Sequence, residues 1–318
     1  MIGSVEIKNF KSIRDLSFQP RRVNLFIGEP NTGKSNVIEA LAFFSPGVFK
    51  AFQEMFRFRT TADLFFDQRV TNELSVQAGD WRLSLKLKGT QYQGAFSQGQ
   101  GGRGGLLMNH AGLVEGGAGP QMPFKYYAFK SLPNFPNGQP GVLNPPFGDN
   151  LVAVLYSNEG LRQRAGAMIR SKGFRLQLKP TENELLIAKD VNDELYSYPW
   201  ASVSETLRRV VFLMAVLETN RDAVLLLDEP EANTFPFYTK YLAERIALDE
   251  TNQFFITTHN PYLLASIVEK TKPGDLAVFV ARMEDFETKL KPIPDQRLPE
   301  LLELDSDAFF NLERLVQE

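Results

Sequence analysis

The segment Gly28-Glu29-Pro30-Asn31-Thr32-Gly33-Lys34-Ser35 places four residues between two glycines and ends on a lysine and a serine. This spacing suits the cradling of phosphates. Glycines let successive backbone N–H groups curl around an anion, Lys34 reaches the β- and γ-phosphates of ATP, and Ser35 offers a hydroxyl to Mg2+. A helix that begins here turns its positive end toward the same anion. Gly28 through Asn36 is therefore the expected nucleotide-binding segment.

A second group follows the apolar run Val224–Leu227, which ends on Asp228-Glu229-Pro230. Such a strand delivers two adjacent carboxylates to the edge where ligands bind in open α/β sheets. Asp228 is suited to hold Mg2+ through water, and Glu229 to polarise the attacking water. His259 comes about thirty residues after Glu229, directly behind the apolar run Phe254–Thr257. A lone histidine is commonly a satisfied structural residue. At the C-terminal edge of a neighbouring strand, however, it can reach a γ-phosphate. Lys34, Glu229 and His259 are the expected catalytic set, with Ser35 and Asp228 at the metal. The other histidine, His110, lies in a glycine-rich stretch and has no expected role.

Strands must end at one sheet edge to bring these groups together. Ile2–Ile7 alternates, and Val23–Ile27 is an apolar run ending in glycine, as a buried strand does. A helix is expected from Ser35 to about Phe44, with Phe49, Phe52 and Phe56 continuing at helical spacing. Further on, Val203–Glu218, Phe237–Leu248 and Pro261–Glu269 read as helices that alternate with strands at Val224–Leu227, Phe254–Thr257 and Asp275–Ala281. Wholly apolar strands alternating with helices predict an α/β fold with a mainly parallel sheet covered on both faces.

The middle is less regular. Residues 74–88 read as a hairpin turning at Ala78-Gly79-Asp80, Leu151–Ser157 and Leu161–Lys172 as helices, and Phe174–Leu178 with Glu184–Ala188 as a strand pair. Residues 91–122 hold so much glycine that no regular element is expected there. They read as a flexible insertion, or as a loop that orders on a partner.

Composition narrows the field. A 318-residue chain with 43% hydrophobic residues has ample core for one large α/β domain or two small ones. A net charge of −3 argues against a surface that is wholly a nucleic-acid footprint, while leaving room for a local basic patch. The absence of cysteine rules out disulfides, thiolate nucleophiles and cysteine–zinc sites, and two histidines rule out a histidine-rich metal site. No apolar run approaches the ~20 residues that span a bilayer, and the charged N-terminus lacks a signal peptide. A cytoplasmic protein with no membrane insertion is expected.

In this order the motifs resemble the ABC-type ATPases of the RecF/SMC branch and the related overcoming-lysogenization-defect ATPases. The likeness lies in Ile7-Lys-Asn-Phe-Lys-Ser-Ile-Arg14, GEPNTGKSNVIEAL, LLLDEPEANTFP and TTHNP, and covers residues 1–45 and about 198–281. It implies an ATPase domain over 1–281, with lobe I at 1–90 and 205–281, lobe II with the insertion at 91–204, and a C-terminal tail at 282–318. It also implies a homodimer that sandwiches ATP between the phosphate loop of one subunit and the signature segment of the other. The family's Leu-Ser-x-Gly signature reads here Val203-Ser204-Glu-Thr206, without the glycine. Ser204 matches the serine that acts in trans, with Ser202 as the alternative, and Gln68 is the candidate Q-loop glutamine. Glycine, proline and asparagine replace the coiled coil of SMC-like relatives. Only about 37 residues follow Ala281, so a nuclease or toxin effector is expected as a separate polypeptide. The resemblance further implies DNA or RNA as a partner, in DNA repair or antiphage defence. A nucleotide-sensing scaffold with little turnover competes, as does the ATPase subunit of a membrane transporter. The intact Glu229 counts against the first, and the NFKSIRDLSF start without an LSGGQ motif against the second.

Overall fold

A computed structural model describes residues 1–101, 103–118, 122–304 and 309–316. β1 (Val5–Phe10) and β2 (Ile13–Phe18) form a hairpin, β3 (Val23–Ile27) runs to the phosphate loop, and α1 (Lys34–Ala42) leaves it. After the single turn α2 (Phe52–Met55) come β4 (Leu74–Ala78), β5 (Trp81–Lys88), β6 (Gln91–Gln98), β7 (Arg103–Met108), β8 (Val114–Ala118) and β9 (Phe124–Tyr127). Helices α3 (Leu151–Ser157) and α4 (Glu159–Arg170) precede β10 (Arg175–Lys179), β11 (Glu184–Val191) and β12 (Glu194–Pro199). The chain then alternates through α5 (Glu205–Thr219), β13 (Val224–Asp228), α6 (Pro236–Leu248), β14 (Gln253–Thr257), α7 (Pro261–Lys270) and β15 (Leu276–Glu284), and turns back in β16 (Glu287–Pro292).

The sheet that carries the site has the order β16-β15-β3-β14-β13-β9, parallel throughout except for β16. Its central strands β3 and β14 are buried at every position because each face of the sheet has its own core. Val23, Leu25, Ile27, Leu225, Leu227 and Ile256 join the cluster that includes α3 to α7. Phe26, Leu226 and Phe255 point the other way, into a cluster shared with α1 and a second, antiparallel sheet. This is the period-two alternation of a strand buried on both sides. The expected α/β architecture is borne out. A small third sheet has the order β10-β11-β12, and its strand β10 lies against α3 and α4.

Two expectations need correction. Residues 91–118, expected to be irregular, supply β6, β7 and β8, which extend the antiparallel sheet β2-β1-β4-β5-β6-β7-β8; residues 102 and 119–121 lie outside the described residues. Backbone ladder bonds do not depend on side chains, and the apolar residues between the glycines fall at strand spacing: Tyr92, Phe96, Leu106 and Met108 are all buried. Gly94 lies beneath Leu106, whose Cγ would stand 2.7 Å from an added Cβ. The expected lobe boundary at residue 91 therefore falls inside a continuous sheet. Likewise, residues 282–292, expected as tail, complete β15 and add β16 to the parallel sheet.

The packing of β6 gives a direct test. Phe96 is 3% exposed, with its ring 5.9 Å from that of Phe49 and 6.3 Å from that of Phe44. Phe96→Ala should cost about 3–5 kcal/mol in denaturant unfolding. A flexible insertion would lose no more than about 0.5 kcal/mol.

Candidate functional site

The phosphate loop is shaped by what presses on it. Gly28 has φ 146°, and a Cβ there would lie 2.4 Å from the Ala281 carbonyl oxygen of β15. Gly33 has φ 87° and caps α1, and its added Cβ would meet Thr288 Oγ1 of β16 at 1.9 Å. Only glycine fits either place. The loop's own groups then order it. Lys34 Nζ donates to the carbonyls of Gly28 at 3.0 Å and Glu29 at 2.6 Å, and Thr32 Oγ1 donates to the Glu29 carbonyl at 2.8 Å. Asn36 Nδ2 donates to Ser12 Oγ at 2.7 Å, and Ser12 in turn bonds Thr288.

The strand register brings the acidic groups to the same edge. β13 and β14 pair in parallel so that Asp228 stands beside Thr257. Asp228 Oδ1 accepts hydrogen bonds from Ser35 Oγ at 2.9 Å and from Thr257 Oγ1 at 2.5 Å. Glu229 sits in the left-handed region at φ 46°, and its N–H donates to Thr257 Oγ1 at 3.0 Å. A non-glycine residue held in that conformation is strained, as residues at functional sites often are. Glu229 Oε1 lies 3.3 Å from His259 Nε2. Lys34, Ser35, Glu229 and His259 line a cavity of about 350 Å3, together with Ser12, Asn31, Arg57 and Met283.

Charge is tuned by burial. Lys34 is lowered to about 8, chiefly by desolvation, which Glu229, Asp228 and Glu29 partly offset. His259 is lowered by burial and by the Lys34 ammonium, so the neutral imidazole is favoured at neutral pH. Buried Glu231 is raised to about 7 by desolvation, although Thr258 Oγ1 donates to its Oε1.

Two family models match this sequence. One, described as "AAA ATPase domain", matches residues 1–86, and the other, described as "AAA domain, putative AbiEii toxin, Type IV TA system", matches residues 115–265. The first match contains the phosphate loop, and the second contains Asp228, Glu229 and His259. The chain is a P-loop ATPase. Among solved structures the ATPase is similar to an SMC head bound to the C-winged helix domain of ScpA, at 14% identity and TM-score 0.53, with 92% of this chain and 97% of that chain covered. It is also similar to an Smc head domain with an extended coiled coil, bound to the C-terminal domain of ScpA derived from Pyrococcus furiosus. There the identity is 14% and the TM-score 0.50, over 95% of this chain and 98% of that one. At such identity the likeness speaks for the fold, the ABC-type head that the motifs of the RecF/SMC branch led one to expect. No curated protein matches the ATPase in sequence.

The other expected site residues lie elsewhere. Ser204 is the N-cap of α5, where its side chain accepts from the Leu207 N–H, and it lines a different groove along with Ser202. Gln68 donates from Nε2 to Asp63 Oδ1 at 2.8 Å and does not line the cavity around Lys34. Arg57, Met283 and Thr257 were not anticipated. Arg57 follows a helical turn with no motif around it, and Met283 belongs to the hairpin expected as tail. Thr257 could have been found, because it ends a buried apolar strand with a hydroxyl.

The lowered Lys34 makes ATP affinity depend on pH. Before nucleotide arrives the ammonium is held only up to about pH 8, so binding above that pH must take up a proton. Affinity should be flat below about pH 8 and then fall toward about tenfold per unit, measured by fluorescent-nucleotide titration. For the nucleotide-free fold the sign is opposite. The unfolded chain, with its ordinary value of 10.5, binds that proton more tightly, so stability rises with pH between about 8 and 10.5.

Proposed function

We propose that two copies of this ATPase close on two molecules of ATP and reopen on hydrolysis, so that nucleotide gates action on nucleic acid or on a separate effector. The observation that carries this reading is the separation of the site's two parts within one chain. The catalytic pocket lies at the ends of β3, β13 and β14, whereas Ser204 and the N-terminus of α5 open onto another groove. A helix N-terminus favours an anion, and a second copy can bring it to a γ-phosphate. Thr206 Oγ1 donates to the Asn233 carbonyl at 2.8 Å, so the signature segment is tied to the loop that follows the same chain's Glu229. That link gives each half of the closed dimer a way to sense the other.

Within the pocket each role follows from chemistry. Lys34 exchanges the Gly28 and Glu29 carbonyls for β- and γ-phosphate oxygens. Ser35 and Asp228, with hydroxyl and carboxylate oxygens 2.9 Å apart, are a hard-oxygen pair fitted to hold Mg2+, which when bound neutralises phosphate charge. Glu229 draws a proton from water as the water oxygen adds to the γ-phosphorus and the bond to the bridging oxygen breaks, leaving ADP and phosphate. The neutral imidazole of His259, beside Glu229, contacts the transferred phosphate.

The output side rests on kinship. The second family model's description names a toxin of a type IV toxin–antitoxin system, which supports control of an effector in defence, and the similar SMC heads carry ScpA domains, which supports a protein partner. The RecF/SMC motifs support nucleic acid. The test is binding of DNA and RNA by ATP-loaded Glu229→Gln protein across a salt series. With about four phosphate contacts, affinity should fall on the order of 100-fold between ~50 and ~200 mM salt. No ATP-dependent binding at ~50 mM salt would remove nucleic acid and leave effector control alone.

A further inference from the structure

The groove beside Ser204 has a volume of about 790 Å3, larger than the cavity around Lys34. Phe174, Leu207, Phe235, Phe237 and Tyr238 give it apolar walls, and Lys172 is the charged side chain on its lining. Phe235 and Phe237 remain 65% and 71% exposed. Contiguous exposed apolar surface of this kind marks a binding site.

A matching projection stands beside the other half of the nucleotide site. Met283 lines the phosphate cavity, and two residues further on β15 turns into β16 through Asp285 and Phe286. Both turn residues have positive φ, 50° and 62°, in a two-residue hairpin loop that favours glycine at its second position. Phe286 occupies that position and is 88% exposed. A large apolar side chain is thus held in water on a strained backbone. Glu287 is already held by Lys289 and Arg14, so Asp285 is the charge carried at the very tip.

We infer that Phe286 of one copy seats in the apolar groove of the other when the ATP-bound dimer closes, with Asp285 meeting Lys172 at the rim. This rests on the sandwich reading above. In a sandwich the phosphate loop of one copy faces Ser204 of its partner, and the tip and the groove are the features next to these two points. Two-fold symmetry makes the contact twice. The aromatic tip acts as an anchor that leaves water only in the closed state, so the apolar contact adds to the hold of the shared nucleotide.

The absence of cysteine makes the test clean. Protein carrying Glu229→Gln and Phe286→Cys is mixed with protein carrying Glu229→Gln and Phe237→Cys, and treated with a short bismaleimide. A covalent dimer should form in the mixture with Mg-ATP and not with ADP, nor with either variant alone. Separately, Phe286→Gly in the Glu229→Gln background should weaken ATP-dependent dimerisation on the order of tenfold or more. The same change should leave ATP binding intact and the monomer's melting temperature equal or higher, since glycine relaxes the turn. If Glu229→Gln dimerises on ATP but the mixture does not cross-link and Phe286→Gly dimerises as tightly, the docking is overturned and the sandwich stands. If Glu229→Gln does not dimerise at all, the sandwich itself has failed, and the docking with it.

Discussion

Lys34→Ala should reduce ATP binding and hydrolysis about a thousandfold, as the loss of one desolvated charge partner does. The ammonium is buried and donates to two carbonyls of its own loop, bonds that phosphate oxygens replace in the function proposed above. Without it, Glu29, Asp228 and Glu229, the carboxylates that act on Lys34, are left to repel an incoming polyphosphate. Misfolding is distinguishable. Burial already opposes the charged form of Lys34, so Lys34→Met should melt no lower than the parent while still failing to bind. Calorimetric titration and phosphate release measure the two losses. Wild-type turnover in Lys34→Ala would remove the assignment of the phosphate loop.

Glu229→Gln should have the second-largest effect, and of a different kind. The amide keeps the size of the side chain beside His259 but cannot accept the proton of the attacking water. Turnover should drop about 10²–10⁴-fold, the range for loss of a general base, while ATP affinity holds within about threefold. A loss of binding equal to the loss of turnover would place Glu229 in nucleotide binding instead.

Much of this site was legible in the sequence because its parts are local. The phosphate loop is one continuous segment, and Asp228, Glu229 and His259 each follow an apolar strand, so two parallel strands sufficed to bring them to one edge. What failed was inference from composition. The glycines around Phe96 and Leu106 suggested disorder, yet an antiparallel ladder needs only backbone groups and a buried side chain at every second place. Residues 13–18 were likewise missed as β2, since Ile13, Leu16 and Phe18 give only a broken alternation. Arg57 reaches the cavity through tertiary packing with no local pattern to announce it.

If ATP joins two copies across Ser204, light scattering of Glu229→Gln protein will report the change in mass. With saturating Mg-ATP the mass should rise from about 36 kDa, the 35.9 kDa of one chain, to twice that value, and return when nucleotide is removed. Adding Ser204→Arg puts a bulky cation at the N-terminus of α5 and should abolish the shift while each copy still binds ATP. A Glu229→Gln protein that stays monomeric in saturating Mg-ATP would contradict the sandwich, and a double variant that dimerises normally would move the contact away from Ser204.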